Sequence, residues 1–372
     1  MQHSFLSTFL QYDWDTQKQN IYQFTAGDVL KALQMENRGL KEFQALISPA
    51  AVPFLPQMAG LSEQLTRQRF GNTVQMYVPL YLSNECQNIC TYCGFSYNNP
   101  MHRRTLTGAE MLQEVNVIKQ MGFDHVLLVT GEANKTVGLD YFKNALQILQ
   151  PHFANISMEV QPMDEEDYKI LKPLGLHAVL VYQETYHGSD YKKHHPKGKK
   201  SNFEYRLETP DRLGRAGIHK IGLGVLIGLE DWRTDSFFTA LHLQYLQKTY
   251  WKSRYSISFP RLRPFSGGLA PKVEMTDKEL VQLICAYRLC FPEVELSLST
   301  REETNMRDNL FKLGITAMSA ASKTNPGGYA VEKESLEQFE ISDERSAEEI
   351  ARMLRKSGYE PVWKDYERSF VD

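Results

Sequence analysis

The chain has 372 residues, 42% of them hydrophobic and 23% charged, with a formal charge of −3. This balance is that of a soluble globular enzyme and leaves no footprint for nucleic-acid binding. The N-terminal stretch Met1 to Leu10 has neither a basic start nor a sustained apolar core, so neither a signal peptide nor a membrane role is expected. Five cysteines, three of them clustered, argue against a disulfide framework and for a reducing, cytoplasmic compartment.

Residues 1–73 show helical periodicity at 26–34 and 61–69, broken by Pro49, Pro53 and Pro56, and are read as a helical N-terminal extension. From Val74 short apolar runs alternate with amphipathic ones, the rhythm of βα units and a parallel sheet. Eight strands are predicted at 74–82, 125–130, 155–161, 177–183, 219–226, 254–259, 293–299 and 315–320. Helices are predicted between them at 107–121, 139–150, 164–173, 206–216, 234–249, 276–290 and 302–313. The expected fold is an α/β (β/α)8 TIM-type barrel over 74–322, with a tail, 323–372, packed on it and carrying one helix at 347–357. Barrels of this kind place their sites in the loops that follow the strands. Unusual residues do gather there: 83–93, 130–132, 161–162, 183–185, 228–231, 260–264, 299–302 and 319–322. The basic run 194–200 reads as a solvated loop unless its place in the barrel gives it another role.

Cys86, Cys90 and Cys93 stand in CxxxCxxC spacing directly after the first predicted strand. Zinc is one reading of closely spaced cysteines, but a structural zinc needs a fourth ligand. His102 is the nearby candidate. Cys285 and Cys290, five residues apart in a helical run, point to different helix faces and read as small buried hydrophobes. The other reading is a 4Fe-4S cluster held by three cysteines, one short of the usual four, which leaves one iron open.

The cysteine spacing resembles that of radical S-adenosylmethionine (SAM) enzymes. That resemblance implies a 4Fe-4S cluster on Cys86, Cys90 and Cys93, with SAM on the fourth iron. It also implies that Tyr92 packs against adenine, that Gly131-Glu132 orients the methionyl amino group, and that Glu184 faces the ribose. Gly224 and Gly228 match a glycine-containing fifth-strand motif that approaches adenine. For the SAM carboxylate, Lys199, Lys200 and Arg206 are all candidates. Stretches 65–97, 182–187, 206–217, 258–264, 296–301 and 323–329 are similar to the bacterial tyrosine lyase family, the 2-iminoacetate synthases (ThiH). This likeness spans nearly the whole chain and implies cleavage of the Cα–Cβ bond of L-tyrosine to 2-iminoacetate and 4-methylphenol. The partners it implies are thiazole synthase (ThiG) and a flavodoxin- or ferredoxin-type reductant. Arg301, after the seventh strand, is expected to grip the substrate carboxylate bidentately, and Ser319 to add a hydrogen bond. Arg261 and Arg263 are rival cations. Three alternatives are a hydrogenase maturase (HydG), whose further chemistry needs C-terminal cysteines that 291–372 lack, a deazaflavin synthase, and a metal-binding scaffold without turnover.

Overall fold

Eight parallel strands close into a barrel: β1 (Thr73–Ser83), β2 (His125–Thr130), β3 (Asn155–Glu159), β4 (Leu176–Leu180), β5 (Lys220–Gly224), β6 (Arg254–Ser258), β7 (Glu295–Leu298) and β8 (Ala317–Ser319). The computed structural model describes residues 4–263, 269–331 and 337–364. Pro264, the last residue of the loop expected after the sixth strand, lies outside that set, as do parts of the tail. The sheet closes because β1 pairs β2 along Val78↔Val126 and β8 along Gln75↔Ala317. Each predicted strand is present within a few residues. Most strand residues are buried on both faces, which is why they read as near-continuous apolar runs instead of alternating ones.

Helix starts are written locally. Thr107 with Glu110, Thr276 with Glu279 and Ser346 with Glu349 form reciprocal capping boxes, each satisfying two otherwise orphaned backbone donors. Three features differ from expectation. The helix predicted at 206–216 is two helices, Phe203–Leu207 and Thr209–Arg215, the second starting with Pro210 in its first turn. A short helix, Gly188–His194, follows β4, and beyond it His195 is buried and the Lys200 side chain is only 12% exposed, while Lys197 and Lys199 stay exposed. The tail also adds a ninth strand, β9 (Glu360–Val362), which pairs the first residues of β1 through Thr73↔Glu360.

The N-terminal helices clamp the outer helices of the barrel. Gln282 donates its amide to the Leu46 and Ser48 carbonyls, each at 2.8 Å, and Arg233 donates to Ile47 O at 2.9 Å. Cys285 and Cys290 lie buried in this packing, as small hydrophobes do. The tail is pinned by Glu114, fully buried, which accepts the backbone N–H groups of Tyr329, Ala330 and Val331 at 2.7–3.1 Å. Tyr329 then donates to Pro79 O at 2.8 Å on β1. Among the described residues no single helix is long and apolar enough to cross a membrane.

Candidate active site

A cavity opens at the C-terminal ends of the strands. Its wall contains Cys86, Cys90, Cys93, Tyr92, Gly131, Glu132, Glu184, Lys200, Arg206, Arg301 and Ser319. These eleven residues, all singled out in the sequence, thus meet in one place. Gly224 stands behind Tyr182, and Gly228 faces Leu262 and Pro271 beside Asp190, His194 and Lys272, so neither is part of this wall.

The cysteine loop follows β1 and is held by backbone approach. Gly131 N donates to Ser83 O at 2.9 Å and Gln87 N to Glu132 O at 2.9 Å. A Cβ on Gly131 would lie 2.3 Å from Glu85 O, so only glycine lets the second strand's loop meet the first. Among the described residues, the group of three His, Cys, Asp or Glu ligand atoms lying mutually within 4.8 Å is His187, Asp190 and Glu230, with no cysteine in it. The three thiols are therefore too spread to share one tetrahedral ion, whose sulfurs would sit closer than ~4 Å given Zn–S of ~2.3 Å. His102 is not in the cavity wall. Three soft, spaced donors, with no fourth among the described residues, fit a thiolate-bound iron–sulfur cluster and not a structural zinc. Burial pushes the Cys86 thiol up to about 11 and raises those of Cys90 and Cys93, while Lys200 opposes the rise at the latter two.

Opposite the thiols is a buried charge network. Arg206 donates to Tyr182 O at 2.6 Å and to Glu132 Oε1 at 2.8 Å, and its other nitrogen lies 3.5 Å from Glu184 Oε1. Lys200 Nζ donates to Glu184 Oε1 at 2.7 Å and sits 5.5 Å from the Tyr92 ring centre. Asn88, inside the cysteine motif, donates to Glu132 Oε2 at 2.8 Å and accepts from Lys200 N at 3.1 Å. Burial alone would raise the Glu132 carboxyl, but Arg206 and Lys200 outweigh it and hold it below its ordinary value. Glu184 adopts φ 69°, a left-handed conformation uncommon outside glycine, at the turn where its carbonyl accepts from Leu226 N.

Tyr92 is oriented by a histidine that sequence reasoning passed over. His195 Nδ1 lies 2.7 Å from Tyr191 O, a carbonyl that can only accept, so Nδ1 carries the hydrogen. Burial, reinforced by Lys200 and Arg206, keeps the ring neutral. Nε2 is therefore a bare acceptor, and Tyr92 donates its hydroxyl to it at 2.6 Å.

The far side of the cavity separates the rival cations. Arg261 is paired with Glu302 and Asp277, and Arg263 with Glu302. Arg301 instead stacks on Phe339, 3.4 Å from the ring centre, and donates weakly to Arg261 O at 3.5 Å; among the described residues no carboxylate pairs with it. Ser319 accepts from Thr300 N at 3.1 Å, leaving its hydroxyl hydrogen to turn toward the cavity. Tyr77, Tyr182, Ser258 and Ser297 form a hydroxyl-rich floor, with Tyr182 donating to Ser258 at 2.9 Å and Tyr77 3.0 Å from Ser297. Glu159, at the end of β3, faces the same space, and burial raises its carboxyl to about 7 against the pull of Arg301. The alternation Ser157, Glu159, Gln161 within an apolar strand was the available signal for it. Gln338 and Phe339 of the tail close the wall, and no local sequence pattern pointed to them.

Residues 80–240 match the profile of the radical SAM superfamily, and residues 258–360 that of the biotin and thiamin synthesis associated domain. The chain is 54% identical to 2-iminoacetate synthase of Escherichia coli (strain K12) over 365 residues, covering 98% of this chain and 97% of that one. Its fold matches the crystal structure of HydG, a maturase of the [FeFe]-hydrogenase, with a TM-score of 0.89 at 30% identity, over 96% of this chain and 83% of HydG. Methylornithine synthase (PylB) shares the fold at a TM-score of 0.71 and 20% identity, over 92% of this chain and 99% of PylB.

Proposed function

Since the chain belongs to the 2-iminoacetate synthase family of radical SAM proteins, we propose that it cleaves the Cα–Cβ bond of L-tyrosine, forming 2-iminoacetate and 4-methylphenol. The observation that carries this reading is the half-buried Arg301, free of any carboxylate among the described residues, in the same cavity as three spaced thiols. Cys86, Cys90 and Cys93 would hold the 4Fe-4S cluster, which when bound and reduced supplies the electron that splits SAM into methionine and a 5′-deoxyadenosyl radical.

Every other task falls to side chains already described. Glu132 and Glu184 offer carboxylates to the methionyl amino group and the ribose, and Lys200 and Arg206 hold both in place. Lys200, paired with Glu184, is the cation offered to the SAM carboxylate, since Arg206 is spent on three partners. Tyr92, locked by His195, presents a fixed ring to adenine. Arg301 fixes the tyrosine carboxylate, and Ser319 adds a donor. So held, the substrate amine would lie toward the thiol side and its ring toward Leu127, Leu180 and Tyr77, which line the same cavity. Glu159 and the floor hydroxyls face the phenol. Fixing both molecules in one closed space converts hydrogen transfer into a near-unimolecular step, with reacting atoms ~3–3.5 Å apart. The 2-iminoacetate product hydrolyses readily in water, which favours direct delivery to thiazole synthase. A flavodoxin or ferredoxin would supply the electron.

The test is anaerobic reconstitution with iron and sulfide, then incubation with SAM, dithionite and L-tyrosine. 5′-Deoxyadenosine, 4-methylphenol and glyoxylate are expected in matching amounts, without cyanide; cyanide would assign the hydrogenase-maturase chemistry, and deoxyadenosine alone would reopen the substrate. Arg301→Lys should raise the KM for tyrosine at least tenfold while the slow tyrosine-independent cleavage of SAM stays within twofold, because an ammonium cannot reproduce the bidentate, ring-stacked grip. Parallel loss of both activities would mean that Arg301 serves the cofactor or the barrel.

A further inference from the structure

The tail does more than cover the cavity. Gln338 touches the cysteine loop at two atoms: its side-chain nitrogen lies 3.8 Å from Cys93 Sγ, and its carbonyl accepts from Gly94 N at 3.1 Å. Its amide oxygen accepts from the Tyr81 hydroxyl at 2.7 Å, and its own N–H donates to Thr324 O at 3.0 Å. These bonds fix which end of the amide faces sulfur. Tyr81 is buried in the barrel, where burial keeps its phenol protonated and hence a donor, so the amide oxygen turns to Tyr81 and the NH2 group to Cys93. The fit is close on the other side too, since a Cβ on Gly94 would lie 2.7 Å from Gln338 O and 2.8 Å from Glu337 O.

A hydrogen bond to a ligating sulfur withdraws charge from the cluster and stabilises its reduced form. We propose that Gln338 is a positioning residue that donates to the Cys93 thiolate and, with Tyr81 aiming its amide, sets how readily the cluster on this loop accepts an electron. The C-terminal segment would thereby belong to the redox centre although it contains no cysteine. Its neighbour Phe339 stacks on Arg301, so the same short segment contacts both the cluster loop and the substrate cation.

This inference rests on the cluster reading and is independent of the tyrosine chemistry. The test is an EPR-monitored reductive titration of the reconstituted protein, with and without SAM and without tyrosine. Gln338→Met keeps the length of the side chain and removes the donor. It should load iron and sulfide as the unmodified protein does, reduce at a lower potential, and form deoxyadenosine more slowly at a fixed, limiting reductant potential. Tyr81→Phe, which frees the amide to rotate, should shift the potential in the same direction by less. Full clusters in both variants with unchanged potentials and spectra would overturn the proposal. If Gln338→Met fails to load, Tyr81→Phe decides: an unshifted potential overturns the proposal and a downward shift supports it. Failure of the unmodified protein to form a 4Fe-4S cluster would instead sink the cluster reading itself.

Discussion

Replacement of Cys90 by alanine is expected to give a folded protein that holds less than one-hundredth of the deoxyadenosine-forming activity and little iron. The fold should survive because removing one buried sulfur from a loop costs only ~1–2 kcal/mol, a small core truncation. The chemistry should not, because nothing can take the thiolate's place. Cys285 and Cys290 are buried in the helix Asp277–Cys290, which packs against the N-terminal helices on the outside of the barrel. His102 is not in the cavity wall. Loss of an outer partner typically weakens a metal site 10–100-fold, and loss of a ligand should exceed that. Cys86→Ala and Cys93→Ala should behave alike. Iron and acid-labile sulfide per chain, read beside the thermal melt, separate ligand loss from misfolding. Turnover in any of the three variants would remove that cysteine from the ligand set.

Arg206→Met is expected to damage stability and SAM binding together. The guanidinium is only 6% exposed and joins Glu132, Glu184 and the Tyr182 carbonyl. Methionine fills similar space but leaves Glu132 buried with Asn88 as its remaining close donor. Breaking a buried pair from one side costs ~3–5 kcal/mol, because the surviving charge loses its compensation. Urea denaturation should show that loss, and SAM affinity should fall at least tenfold. Adding Glu132→Gln should restore much of the stability, since a neutral amide needs no cation, yet should leave SAM binding weak. Wild-type stability in Arg206→Met would show that Lys200 alone neutralises both carboxylates.

The barrel was legible in the sequence because parallel strands buried on both faces leave long apolar runs, and because capping boxes mark helix starts. β9 was not, since Glu360-Pro361-Val362 is three residues long, contains proline, and gains its pairing only from β1. Pro210 split one predicted helix, a break the apolar periodicity had masked. For the site, spacing found the cysteines and strand-end position found Glu132, Glu184 and Arg301. Position favoured Arg301 but left Arg261 and Arg263 as rivals, and ion pairing sets those two apart, with Glu302 occupying both. His195 hid inside a run whose charge suggested solvent, and Gln338 arrives from a segment more than two hundred residues from Cys93. Contacts of that separation leave no local pattern to read.

The contact between Gly94 and the backbone of residues 337–338 also fixes an order of assembly. Those residues follow the whole barrel in the chain, so on the ribosome the cysteine loop is made long before the segment that lies against it. Until residues 337–338 dock, Gly94 N lacks its carbonyl acceptor and Cys93 Sγ its amide neighbour, so the cysteine loop takes its final form only when the tail is in place.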